Sequence, residues 1–328
     1  MSMMSSRECA LVGAFALLCA TATVYGAEVQ NYPSRPIRLV VPFPPGGGAD
    51  VLGRVVAQRL SETLRQQTIV DNRGGAGGRI GVEHVANSQP DGYTLLLAGS
   101  GPMFITPALY PKLPYSIQKD FAPVSAVATM AYAVLLHPSV PAKTMKQLIA
   151  LAKAKPGALN YASSGSGTAG HLVVELFQFA ANTRMVHIPY KGTGPAAMAV
   201  MGGEAALLFG DLLSALSLID SGKLRTIAVT SAKRSSILGD IPTVVESGLN
   251  FEFQNLYGLL VPAATPRDII NRLNSALVTS LQSPETQKLL ARQGSEVATN
   301  TPEALAGFIK SETERYRKVV ADANVKAE

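Results

Sequence analysis

The chain has 328 residues, 47% hydrophobic and 16% charged, with 29 glycines and 21 prolines; at about 150 residues per domain it is sized for two domains, and it is too apolar for disorder. Its 29 Lys and Arg against 23 Asp and Glu leave a formal charge of +6, which favours anionic partners without choosing among nucleic acid, anionic surfaces and small anions. Both cysteines, Cys9 and Cys19, lie near the start, so a cysteine metal site and a disulfide framework are excluded for everything after them.

The chain opens with the layout of a secretory leader. Arg7 precedes an uncharged, mostly apolar run over residues 9–22, and small residues follow up to Ala27. At about 14 residues the run falls short of the ~20 that cross a bilayer as a helix; an uncleaved anchor is the alternative. Cleavage after Gly26 or after Ala22 satisfies the small-residue rule, while Leu18 is too bulky for Cys19 to be a lipoprotein acceptor. Residues 1–26 are read as a cleavable signal peptide and the mature protein as exported.

A β-branched run over 37–41 predicts the first strand, which passes through Pro42, Phe43, Pro44 and Pro45 into Gly46, Gly47 and Gly48 and an amphipathic helix over 50–65. A second glycine-rich turn, Gly74, Gly75, Gly77 and Gly78, precedes the next helical stretch. Strands are predicted at 94–98 and 132–136, and Thr144 with Gln147 opens a helix. The third glycine-rich segment, 160–171, leads into a helix over 170–181; strands follow at 185–188, 205–209 and 226–230. In the last third, Thr265-Pro266, Ser283-Pro284 and Thr301-Pro302 mark three helix starts, each with a capping oxygen and a proline at the first helical position. The alternation predicts α/β layers with largely parallel sheets. No linker is visible, so the chain should cross between its two domains more than once.

The three glycine-rich segments share one design, in which an apolar strand runs into glycines and then a helix. Glycines let the backbone take positive φ and approach a ligand, and the free N–H groups of a helix's first turn form an anion site. Such loops at strand ends are where open α/β sheets bind ligands. Two or three converging helix starts could hold a carboxylate without a buried Arg or Lys, with Ser164, Ser166 and Thr168 as hydroxyl donors.

Two enzyme readings compete. Gly165, Gly167 and Gly170 spell G-x-G-x-x-G, a dinucleotide motif, yet the next strand leads to Tyr190-Lys191 where an acidic ribose ligand is wanted; Lys191 would suit the 2′-phosphate of NADP. A serine nucleophile would need glycine at position 164, which is Ser. His84, His137 and His187 have no partner at metal-ligand spacing, so neither a metal nor a cofactor is called for. The basic residues form no run, Trp is absent and aromatics are 6%, which argues against nucleic acid.

From Tyr32-Pro33-Ser34-Arg35-Pro36-Ile37-Arg38 and Pro42-Phe43-Pro44-Pro45-Gly46-Gly47-Gly48-Ala49-Asp50 onward, the chain resembles the Bug (TctC-like) family of extracytoplasmic solute receptors of tripartite tricarboxylate transporters. The likeness continues through Asn72-Arg73, Pro90-Asp91-Gly92-Tyr93, the 163–171 loop, Val186-His187-Ile188-Pro189-Tyr190-Lys191-Gly192, Gly222-Lys223-Leu224-Arg225 and Ile241-Pro242-Thr243. The resemblance implies a non-enzymatic, two-domain Venus-flytrap (type II-like) periplasmic binding protein with a ligand cleft between the domains. Residues 27–129 with 255–328 would form the first domain and 130–254 the second.

By the same resemblance Phe43, Gly46 and Gly47 line one side of the cleft and Ser164, Ser166, Gly167 and Thr168 the other, with Thr193 and Asp211 nearby. Asp50 is expected to cap the first helix, and Met103, Ala206 and Leu207 to supply apolar cleft surface. The implied ligand is a small organic carboxylate, the partners are the permease subunits of the transporter, and the receptor is a monomer. Gly210-Asp211 stands where the family often has Asp-Asn, and the 99–103 stretch lacks an expected polar pair. These departures fall on cleft positions, so the family pattern does not specify which carboxylate is bound.

Overall fold

In the computed structural model, residues 31–322 and Val325 are described; the expected leader, 1–26, lies outside them. The strands are β1 Ile37–Val41, β2 Thr68–Asn72, β3 Thr94–Ala98, β4 Phe121–Leu136, β5 Asn160–Ser163, β6 Val186–Pro189, β7 Leu207–Asp211, β8 Arg225–Val229, β9 Gln254–Pro262 and β10 Ser295–Val297. They join in the order β2-β1-β3-β9-β4-β7-β5-β6, with β8 and β10 each paired to β4. The longer helices are α1 Gly48–Leu64, α2 Arg79–Ala86, α3 Met145–Ala154, α4 Ala169–Ala181, α5 Thr193–Met201, α6 Leu212–Asp220, α7 Arg267–Leu281, α8 Pro284–Arg292 and α9 Pro302–Asp322.

The fold is a mixed α/β architecture built on this one sheet, and β4 is its spine. Up to Ala131 this strand pairs antiparallel with β9, and from Tyr132 onward with β7 and β8. One half of the sheet is then β2-β1-β3 in parallel and the other β6-β5-β7 in parallel. β1 explains its own position: Leu39 and Val41 face one core while Val40 faces the other, all fully buried. An apolar run covered on both faces is what a central parallel strand requires. Each such side chain contributes roughly 1.5–3 kcal/mol on burial.

Two predicted strands, β1 and β3, match residue for residue. The predicted strand 132–136 is only the end of β4, because Pro123, Ser125 and a scatter of alanines hide the periodicity of its first part. Strands predicted at 185–188, 205–209 and 226–230 sit one or two residues away from β6, β7 and β8. At the helix starts, Thr144 and Ser283 accept from the N–H groups of Gln147 and Thr286, and Thr301 accepts from Ala304. Thr265 does not cap: its hydroxyl turns back to the Pro262 carbonyl at 2.7 Å, and Pro266 is the N-cap itself rather than the first helical residue. Met103 and Leu207, expected in the cleft, are fully buried in the core.

Candidate ligand cleft

Five strands end at the same cavity, whereas the glycine turn after β2, Gly74 to Gly78, is not on its wall. β1 runs through Phe43 to Gly47 and α1; β3 into Gly99 and Gly101; β5 into Ser164 and α4; β6 into Gly192 and α5; β7 stops at Asp211, ahead of α6. Residues of all five turns line one cavity, floored by Tyr132, Asn255 and Tyr257 from the strands that cross between the halves. Helix starts from both halves of the sheet therefore point at a common space, each with first-turn N–H groups that have no partner within their helix.

The first half contributes the start of α1. Gly47 is the N-cap, in extended conformation, and among the described residues no side chain caps this helix. Asp50, expected to be the cap, stands inside the first turn. Its Oδ2 accepts from the Gly46 N–H at 3.1 Å and from Arg54 Nε at 3.1 Å. Burial pushes this carboxyl up, but the Gly46 N–H, Arg54 and Asn72 outweigh it and hold it below the ordinary range. Asp50 so fixes the loop without reaching the cavity.

The second half contributes α4 and α5. Thr168 caps α4, accepting from the His171 N–H, and its hydroxyl donates to the Gly165 carbonyl at 2.7 Å. Ser164 donates to Thr168 Oγ1 at 3.0 Å. Positive φ at Gly165 and Gly167 lets the loop fold this tightly. Behind it, Ser163 Oγ lies 2.6 Å from His187 Nε2, and the Tyr161, His171 and His187 rings stack on one another. Gly192 caps α5 without a side chain, and its N–H donates to the Ser164 carbonyl at 3.1 Å.

Asp211 is the one carboxylate on the cavity wall, which carries no Lys, Arg or His among the described residues. Its Oδ1 accepts from the Ser214 N–H at 2.9 Å and from the Ser214 hydroxyl. The same oxygen lies against α1: a Cβ on Gly48 would stand 2.3 Å from it. Burial first, then the Asp211 charge, pushes the Tyr132 and Tyr257 phenols up, so both stay protonated donors.

The halves are closed on each other. Thr106 donates to the Gly167 carbonyl at 3.0 Å, and a Cβ on Gly77 would meet the Ser166 carbonyl at 2.7 Å. The remaining cavity is about 30 Å³, against the roughly 300 Å³ at which small-molecule pockets usually begin.

Of the residues expected in the site, Phe43, Gly47, Ser164, Thr168, Thr193 and Asp211 line the cavity. Gly46, Ser166 and Gly167 are not on its wall. Gly46 is turned to Asp50, Ser166 presents its carbonyl to Gly77, and Gly167 faces the Tyr110 ring, 2.6 Å from where its Cβ would be. Tyr132, Asn255 and Tyr257 escape sequence reasoning because they sit inside strands, where no local motif marks them. Neither enzyme reading finds support; Ser164, one of the two candidate nucleophiles, bonds to Thr168 rather than to an imidazole.

Residues 52–325 match the family model described as the tripartite tricarboxylate transporter family receptor. Protein BugT of Bordetella pertussis is 37% identical over 323 residues, 98% of each chain. The solved periplasmic binding protein BugD superposes with a TM-score of 0.86 at 33% identity, covering 90% of this chain and all of that one. R. palustris Rpa4515, solved with adipate, gives 0.87 at 32% identity, covering 89% of this chain and 98% of that one.

Proposed function

Because the chain belongs to the tripartite tricarboxylate transporter receptor family, we propose that this solute-binding protein captures a small organic carboxylate in the cleft described above and presents the closed form to the membrane subunits of such a transporter. It binds and does not turn over its ligand. The observation that carries the carboxylate is the convergence of helix starts from both halves of the sheet on a cavity wall without a cationic side chain. N–H groups preorganised in this way stabilise an anion at little reorganisation cost, and each helix dipole adds about 0.3–1 kcal/mol, up to ~2 when partly buried. Phe43, Gly47, Ser164, Thr168, Thr193 and Asp211 are the proposed contacts, with the Tyr132 and Tyr257 hydroxyls as further donors.

The division into domains follows the spine: 27–129 with 255–328 as one body and 130–254 as the other. The chain passes between them within β4 and again at the first residue of β9. Because the closed cavity is small, a ligand enters only when these bodies separate, and closure buries it. Solved relatives are periplasmic, and no described helix is long and apolar enough to cross a membrane. We place this receptor in the periplasm as a monomer, exported by its leader.

A thermal-shift screen of residues 27–328 against mono-, di- and tricarboxylates, amino acids and NADP tests the reading. A ligand selective for the folded state adds about 2.7 kcal/mol at 100 times its dissociation constant. A shift with carboxylates supports the proposal; silence from all of them with a shift from NADP overturns it.

A further inference from the structure

The cavity wall carries a negative charge of its own, which is unexpected where an anion is to be captured. Asp211 is 3% exposed, so solvent screens it little. It also uses up part of the cradle. Through Ser214 its Oδ1 caps α6, and the same oxygen rests on Gly48 at the start of α1. Thr168 caps α4 from within the loop. That leaves α5, whose start at Gly192 and Thr193 has no side-chain cap among the described residues and lies on the same cavity wall, beside Ser164. Asp211 shares the cavity with Tyr132, its register partner on β4, and with Tyr257.

We propose, on the reading that the site binds carboxylates, that Asp211 is a charge filter: the ligand has a single carboxylate, held at the start of α5, and turns a hydroxyl or ammonium donor toward Asp211. A dicarboxylate would bring a second anion to a wall that already holds one and has no cation to offset it. Two carboxylates sharing such a site cannot both remain ionised without a large cost, whereas a donor there makes a charge-assisted hydrogen bond.

Length-matched pairs test this by calorimetry: 4-hydroxybutyrate against succinate, 6-hydroxyhexanoate against adipate, and 4-(hydroxymethyl)benzoate against terephthalate. In whichever pair binds, the wild-type protein should favour the hydroxy acid at least tenfold. Asp211→Asn keeps an oxygen for the Ser214 N–H and should bring that ratio to within about threefold, chiefly by gaining affinity for the diacid. A wild-type protein that binds the diacid as tightly as the hydroxy acid overturns the filter, and needs no variant to do so. An Asn variant that melts like wild type with the ratio unchanged overturns it as well. Failure of every carboxylate to bind either protein overturns the carboxylate reading itself, and the filter with it.

Discussion

Gly48→Ala isolates closure from folding. The added Cβ would lie 2.3 Å from Asp211 Oδ1, 2.7 Å from its Cγ and 3.2 Å from Met130 Sδ, so the carboxylate sits about 1 Å inside ordinary contact. Asp211 cannot swing away freely, because the Ser214 N–H and hydroxyl hold the same oxygen. An overpacked contact of this kind costs typically 1–3 kcal/mol, and it is borne only when the two halves meet. Ligand affinity should therefore fall by roughly 5- to 150-fold. The folded protein should not suffer, since replacing a helical glycine by alanine is worth up to about 1 kcal/mol in its favour. Calorimetry would read the affinity, thermal melting the stability, and small-angle scattering the ligand-induced compaction. A variant that binds within twofold of wild type and compacts equally would refute the close approach of α1 to Asp211 as a determinant of closure.

Further outcomes follow from the same geometry. Gly47→Val projects its side chain into open space at the start of α1 and should abolish ligand binding while leaving the melting temperature near wild type. Thr168→Ala removes the cap of α4 together with the bond to Gly165, so melting should show a loss of about 1 kcal/mol or more with weakened binding, and Thr168→Ser should restore most of both. Asp50 is held below its unfolded value of about 3.9, so its contribution is complete above that value and is lost as pH falls through the lower folded one. Asp50→Asn should melt below wild type at pH 7, and the gap should close in acid, below about pH 4.

How much was legible in the sequence differs element by element. The α/β alternation, β1 and β3, and the glycine turns at strand ends follow from local chemistry, and the order of motifs points to the family. The spine was half visible: Tyr132 onward is a dense apolar run, but the stretch from Phe121 is mixed and proline-bearing, and becomes a strand only because β9 and β10 pair with it. For the same reason the floor of the cavity is invisible before folding. Asn255 earns its place through a bond to the Ser100 N–H, far away in the chain. Glycine was expected to allow close approach to a ligand, yet the turns do not all face the cavity: Gly167 turns to Tyr110, and Gly46 to Asp50. A motif marks where the backbone bends, while the direction of the bend depends on partners that only the tertiary structure supplies.

On the proposed reading, main-chain N–H groups at helix starts, rather than a cation, hold the ligand carboxylate. Amide chemical shifts of isotope-labelled protein, followed through a titration with the carboxylate that binds, test it most directly. The amides of Thr193 and Gly194 at the start of α5, with Ser164 beside them, should move together and saturate at one dissociation constant. Saturable binding that leaves these amides unmoved and perturbs a different surface would contradict the account.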